Sequence, residues 1–147
     1  MRIKHFIIVI SIFLVSSQSM ICQEKITWDH LAKVTFTEKY FPAWDTYFLY
    51  PHYKESVKQL EGKKITISGY FLDVDPEGKL FLISKNPMAS CFFCGGAGPE
   101  TAMEVQFKKM QKFKTDDVVT FTGILKLNPD DPEHFNYILT EAVGRFK

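Results

Sequence analysis

Two stretches of this chain repeat one pattern: Lys64 to Asp73 (KITISGYFLD) and Asp117 to Leu127 (DVVTFTGILKL). In the first, Ile65, Ile67, Gly69 and Phe71 alternate with Thr66, Ser68 and Tyr70; in the second, Val119, Phe121, Gly123 and Leu125 share one face. Alternation of this kind reads as a strand with one buried face. Both runs place a glycine directly after apolar–Thr–apolar–Ser/Thr, and a glycine inside a strand marks a bulge, a bend or a close approach of backbone. Small closed barrels need such bends, because a long strand must curl from one side to the other. Three further strands are expected at Leu80 to Ser84, Met103 to Phe107 and Phe135 to Val143. The stretch Asp75-Pro76-Glu77-Gly78 reads as the turn that joins the first two strands. The expectation is a mainly β protein: a small five-stranded OB-fold-like barrel over residues 63–147. One departure is visible, since Lys108 to Asp116 is short where many such barrels carry a helix.

Residues 24–62 precede the barrel as an aromatic-rich segment. Nine aromatics fall between Trp28 and Tyr53, with Pro42 and Pro51 among them and no clean period of strand or helix. Rings at this density suit a cover over an open end or face of the barrel. Thr27 is placed to cap a short helix opening at Trp28, and Pro51 to Glu61 reads as a second, stopped by Gly62.

Residues 1–23 read as a secretory signal peptide. Arg2 and Lys4 precede the apolar run Phe6 to Val15, and Ser16 to Ser19 follow. That run is shorter than the roughly 20 residues a membrane span requires. Cleavage is expected after Ser19 or near Cys22 and Gln23, so the protein is read as exported, periplasmic or secreted. A lipid anchor on Cys22 is the alternative, although the preceding Ile21 is bulky for that processing. The whole chain has 147 residues and a net charge of +1; without Arg2 and Lys4, 16 basic and 17 acidic residues remain, for −1. Arg145 is then the sole arginine. This balance offers no footprint for nucleic acid, and the run Lys108, Lys109, Lys112 and Lys114 reads as a solvated turn. No hydrolase or phosphate-binding pattern is present. A calcium loop starting at Asp73 fails because Ser84 stands where a bidentate glutamate is required.

The chemistry lies in the loop after the second strand, Cys91-Phe92-Phe93-Cys94-Gly95-Gly96. Two cysteines at this spacing can chelate one metal ion, with Gly95 and Gly96 supplying backbone N–H groups to the sulfurs. A closed zinc site wants four ligands, so others must come from His30, His52, His134, Glu100, Glu104 or a partner chain. His52, next to the barrel, is the third ligand expected here. The same pair suits a plain disulfide, which as a small loop stabilises by only about 2 kcal/mol. It also suits a thiol–disulfide redox pair, although Gly95, Gly96 and Pro99 argue against a helix opening there. Covalent haem attachment is excluded in its usual form, because Gly95 replaces the histidine.

Ile26-Thr27-Trp28-Asp29, the run Leu60 to Tyr70 and this cysteine loop resemble an uncharacterised family of exported bacterial proteins, a domain of unknown function. A widespread branch of that family carries Cys-x-His followed by prolines, where this chain has Cys91 and Cys94 followed by glycines. Some relatives accompany transporters linked to zinc supply, so the resemblance implies metal handling. The expected function is an exported, non-catalytic binding module holding zinc through Cys91 and Cys94. The alternatives are a periplasmic thiol–disulfide protein and an interaction domain stapled by a disulfide. An exported or membrane protein is an expected partner; nucleic acid and a membrane span in the mature chain are not.

Overall fold

The computed structural model describes residues 23–75, 77 and 80–147. Residues 1–22 of the expected signal peptide, and Pro76 and Gly78 of the expected turn, lie outside the described residues. Eight strands are described: β1 (Glu24–Lys25), β2 (Val34–Phe41), β3 (Thr46–Tyr53), β4 (Lys64–Asp73), β5 (Phe81–Ser84), β6 (Ala102–Phe107), β7 (Val118–Leu127) and β8 (Tyr137–Phe146).

The last five close into a barrel in the order β4-β5-β6-β8-β7, with β7 pairing back onto β4. Only β6 and β8 run parallel within it; the other pairings are antiparallel. This is the expected OB-like barrel, and its closure rests on the two glycine positions. Strand β4 pairs with β7 over Lys64–Tyr70 and with β5 over Tyr70–Asp73, so it changes partner next to Gly69. A Cβ on Gly69 would stand 2.3 Å from the Ser84 carbonyl oxygen. Gly123 marks a register shift between β7 and β8, and a Cβ there would meet the Thr140 oxygen at 2.6 Å. The extra residue of that shift lies on β8, where Glu141 adopts a φ of 52° and its carboxylate pairs with Lys108 at 3.0 Å.

Alternation along β4 and β7 sends Ile65, Ile67, Phe71, Val119, Phe121 and Leu125 into one core with Met103, Tyr137 and Leu139. One end of the barrel is filled by rings. Phe71 packs within 5.5–6.4 Å of Phe81, Phe107, Phe113 and Phe121, centroid to centroid. Phe113 belongs to the short β6–β7 connection. It sits where a helix would otherwise plug the end, and its neighbour Gln111 clamps Gly144 through both amide atoms, at 2.6 and 3.0 Å. Those paired bonds give the connection the hold of a strand without its length.

The aromatic segment is folded differently from the expectation. β2 and β3 form a two-stranded antiparallel hairpin in register from Val34↔Tyr53 to Phe41↔Thr46, turning through Asp45 at a φ of 48°. Pro51 to Tyr53 therefore end a strand, and the second helical turn is only Glu55–Lys58, capped at Gln59, with Gly62 at a φ of 73° turning the chain toward β4. A two-stranded ribbon has free edges, so it accepts Pro51. Rings on both faces hide its period of two. Only part of the segment covers the barrel: Trp28 and Leu31, in the helical turn Trp28–Leu31, are core residues, and Tyr53 packs against the core. Thr27 caps that turn as expected, its N–H donating to His30 Nδ1 at 3.1 Å. Toward the hairpin tip Tyr40, Trp44, Tyr47 and Leu49 stay exposed.

Two tyrosines join the hairpin and the first turn to the barrel. Tyr137 O–H donates to the Leu31 oxygen and Tyr53 O–H to the Asn136 oxygen, both at 2.7 Å. Burial drives both phenols well above their ordinary range. The folded state thus favours neutral tyrosine, while the unfolded chain ionises near the ordinary tyrosine value of 10.0. Stability is then fully present below that pH and falls as pH rises beyond it. Urea midpoints at successive pH values should decline above about pH 10, and less steeply in Tyr137→Phe. An unchanged slope in the variant would contradict the assignment.

Candidate functional site

Between β5 and β6 the chain runs through three short 3-10 turns, Met88–Ser90, Phe92–Cys94 and Pro99–Thr101. The loop is tied down at its start, where Met88 N–H donates to Asp116 Oδ1 at 2.7 Å. It is tied at its end by Lys85 N–H, which donates to the Thr101 oxygen at 2.9 Å. The side chains beneath it are Leu72 and Leu82, the faces of β4 and β5 turned away from the barrel core. With Cys91 they form a second apolar cluster, against which Met88, Phe135 and Tyr70 pack.

Cys91 and Cys94 flank the middle turn and are both free thiols, Cys91 buried and Cys94 exposed. Two contacts converge on Met88 at their end of the loop. Cys91 Sγ lies 3.9 Å from Met88 Sδ, and Cys94 Sγ–H donates to the Met88 carbonyl at 3.1 Å. Desolvation in the loop, and then the adjacent Cys91 thiol, raise the Cys94 thiol above its ordinary range. A redox nucleophile needs the opposite shift and a helix N-terminus to supply it; the local backbone is a single 3-10 turn. The geometry therefore weighs against the thiol–disulfide alternative.

Both glycines shape the backbone of the loop. Gly95 takes the left-handed conformation, φ 71°, that ends the Phe92–Cys94 turn, and its N–H donates to the Phe92 oxygen at 3.0 Å. The expected N–H to sulfur bond from Gly95 is therefore replaced by a bond within the turn. At Gly96 a Cβ would lie 2.9 Å from the Ser90 oxygen, so the absence of a side chain lets the chain fold back on itself.

The other expected ligands are placed apart from the thiols. Among the described residues no three His, Cys, Asp or Glu side chains are grouped to hold a metal ion. His52 stands on β3, with Nε2 2.7 Å from Thr37 Oγ1 across the hairpin, and so does not join Cys91 and Cys94. His30 is used in the cap at Thr27. Glu104 and His134, which the sequence offered only as separate candidates, meet across 30 positions of chain. Glu104 is buried on β6, and His134 Nδ1 lies 2.9 and 3.1 Å from its two oxygens. Gln106 Nε2 also donates to this carboxylate at 2.8 Å and Phe135 N–H at 3.4 Å. A buried carboxylate with this many donors is satisfied, and it serves to pin the β7–β8 loop to the sheet. That loop, the hairpin and the cysteine loop surround a cavity of about 410 Å3, with Phe41, Phe48, Phe92, Pro99 and His134 among its walls.

No helix of the described residues is long and apolar enough to cross a membrane. No family model and no curated protein matches the chain. Among solved structures it is similar to a DUF3299 family protein from Pseudomonas aeruginosa PAO1, at 14% identity and a TM-score of 0.50. The match covers 86% of this chain and 98% of that one. The two share an architecture over nearly their whole length, and what this chain is similar to is a protein of a domain family without an assigned activity.

Proposed function

We propose that this protein is an exported, non-catalytic binding module that holds a thiophilic metal ion at Cys91 and Cys94. The observation that carries the reading is the pair of free thiols at the two ends of one short turn, each in contact with Met88, on a loop whose start is tied to Asp116. A Cys-x-x-Cys pair on one turn can present two sulfurs to one ion. Zinc, the ion expected from the sequence, would find two thiolates here and would draw its remaining ligands from water or a partner chain. Both thiols must lose a proton to ligate the ion, so uptake is proton-releasing and pH-dependent.

The test is metal content and thiol count on one anaerobic, reduced sample of the full chain. After equilibration with Zn(II) or Cd(II) and gel filtration, one ion per chain is expected, and Cys94→Ser should abolish its retention. Cys94 is exposed, so that variant keeps the fold. Metal retention no greater than in Cys94→Ser, or a Cys91–Cys94 disulfide in the chain as isolated after export, would sink the proposal.

A further inference from the structure

We infer that this loop selects a soft monovalent ion, Cu(I), and that the Met88 thioether is its third ligand beside Cys91 and Cys94. The inference rests on the metal-binding reading of the same loop and adds to it both a ligand and an ion.

Met88 is three residues before Cys91, and a single 3-10 turn brings its sulfur to 3.9 Å from Cys91 Sγ. With metal–sulfur bonds of about 2.3 Å, three donors in a trigonal plane stand about 4 Å apart. Met88 and Cys91 are at that spacing before any ion arrives. Cys94 stands on the same side of the turn, since its thiol donates to the carbonyl of Met88 itself at 3.1 Å. Backbone anchors hold the arrangement: Met88 N–H on Asp116 and Cys91 N–H on the Met88 oxygen, at 2.7 and 3.3 Å.

The donor set decides the ion. Zinc takes four ligands of nitrogen, oxygen or thiolate character, and among the described residues no third His, Cys, Asp or Glu joins the two cysteines. Thiolates with a thioether are soft donors, which suit Cu(I). Cys91 is buried with Leu72 and Leu82, so that side of the site offers no hard donor to raise the coordination number. On binding, Cys91 and Cys94 each release a thiol proton to solvent. The Met88 sulfur donates a lone pair without losing a proton, and copper enters and remains as Cu(I).

Methionine is also an adaptable filler of apolar gaps. As a filler, Met88 would be replaceable by leucine with no effect on metal affinity. The experiment titrates the reduced full chain with Cu(I) anaerobically against bathocuproine disulfonate, alongside Met88→Leu and Cys94→Ser. The wild type should hold one Cu(I), with three sulfur neighbours by X-ray absorption. Met88→Leu should lose about tenfold or more in Cu(I) affinity, fall to two sulfur neighbours, and keep its Cd(II) affinity and its thermal midpoint. Equal Cu(I) affinity in Met88→Leu, or two sulfurs in the wild type, overturns the inference and leaves the dithiol reading standing. No retention of Cu(I), Zn(II) or Cd(II) by the wild type overturns both.

Discussion

Gly69→Val is expected to cost about 3 kcal/mol or more, a large part of the stability of a domain this size. Even the first added carbon would lie 2.3 Å from the Ser84 carbonyl oxygen and 2.9 Å from Ile83 Cγ1. A flexible side chain can swing away from such a contact, but Ser84 is in β5 and its oxygen is backbone. Relief therefore requires β4 and β5 to separate where β4 changes partner, which opens the barrel. Urea unfolding of Gly69→Ala and Gly69→Val should show midpoints falling in that order. A loss below about 1 kcal/mol for the alanine variant would show that the two strands are not in the close contact described here.

Phe71→Ala is expected to cost about 3–5 kcal/mol, near the upper end of that range. The side chain is 1% exposed and touches four other phenylalanine rings, so its removal leaves a cavity walled by residues from β4's neighbours and the β6–β7 connection. Rings held on several different strands collapse poorly into such a space, and offset aromatic pairs add to the simple loss of buried area. Phe113→Ala should cost less, because Phe113 is only partly buried and sits on a connection that can shift. Equal losses in the two variants would mean that the β6–β7 connection is as rigid as the barrel wall.

The barrel was legible because its evidence is local. Alternation along Lys64 to Asp73 and Asp117 to Leu127 is a property of neighbours in sequence, and both strands fall within a residue of the expected bounds. The glycines at 69 and 123 announced the places where the sheet turns, and the structure puts a partner change at one and a register shift at the other. The hairpin of β2 and β3 escaped the same reading. Its aromatics lie on both faces of a ribbon exposed on both sides, so no face is marked as buried and the period of two disappears. Pro51, read as a helix start, sits instead opposite Phe36 within that ribbon.

Cys91 and Cys94 were legible as a pair from their spacing alone, since two intervening residues bring two sulfurs together in almost any tight turn. Gly95 was legible as a residue needed for its positive φ, but not as a donor to sulfur, because its N–H is spent closing the turn. Met88 was missed altogether. Its spacing from Cys91 is helical, and a 3-10 turn just before the first cysteine is the local signal that could have drawn attention to it. The contact between Glu104 and His134 had no such signal: it depends on β6 running beside β8 in a barrel that also closes through β7.

By itself, then, the sequence determined the five barrel strands, their inward faces, the two glycine bends and the placing of two thiols on one loop. All of these follow from interactions within a few residues, which backbone geometry imposes wherever the chain ends up. Tertiary structure decided which face of the barrel buries Cys91, which histidine meets a carboxylate, and that His52 stays on the hairpin away from the thiols. Those outcomes come from closing a sheet on itself. Closure joins positions far apart in the chain according to register and strand order, and local periodicity carries no record of either.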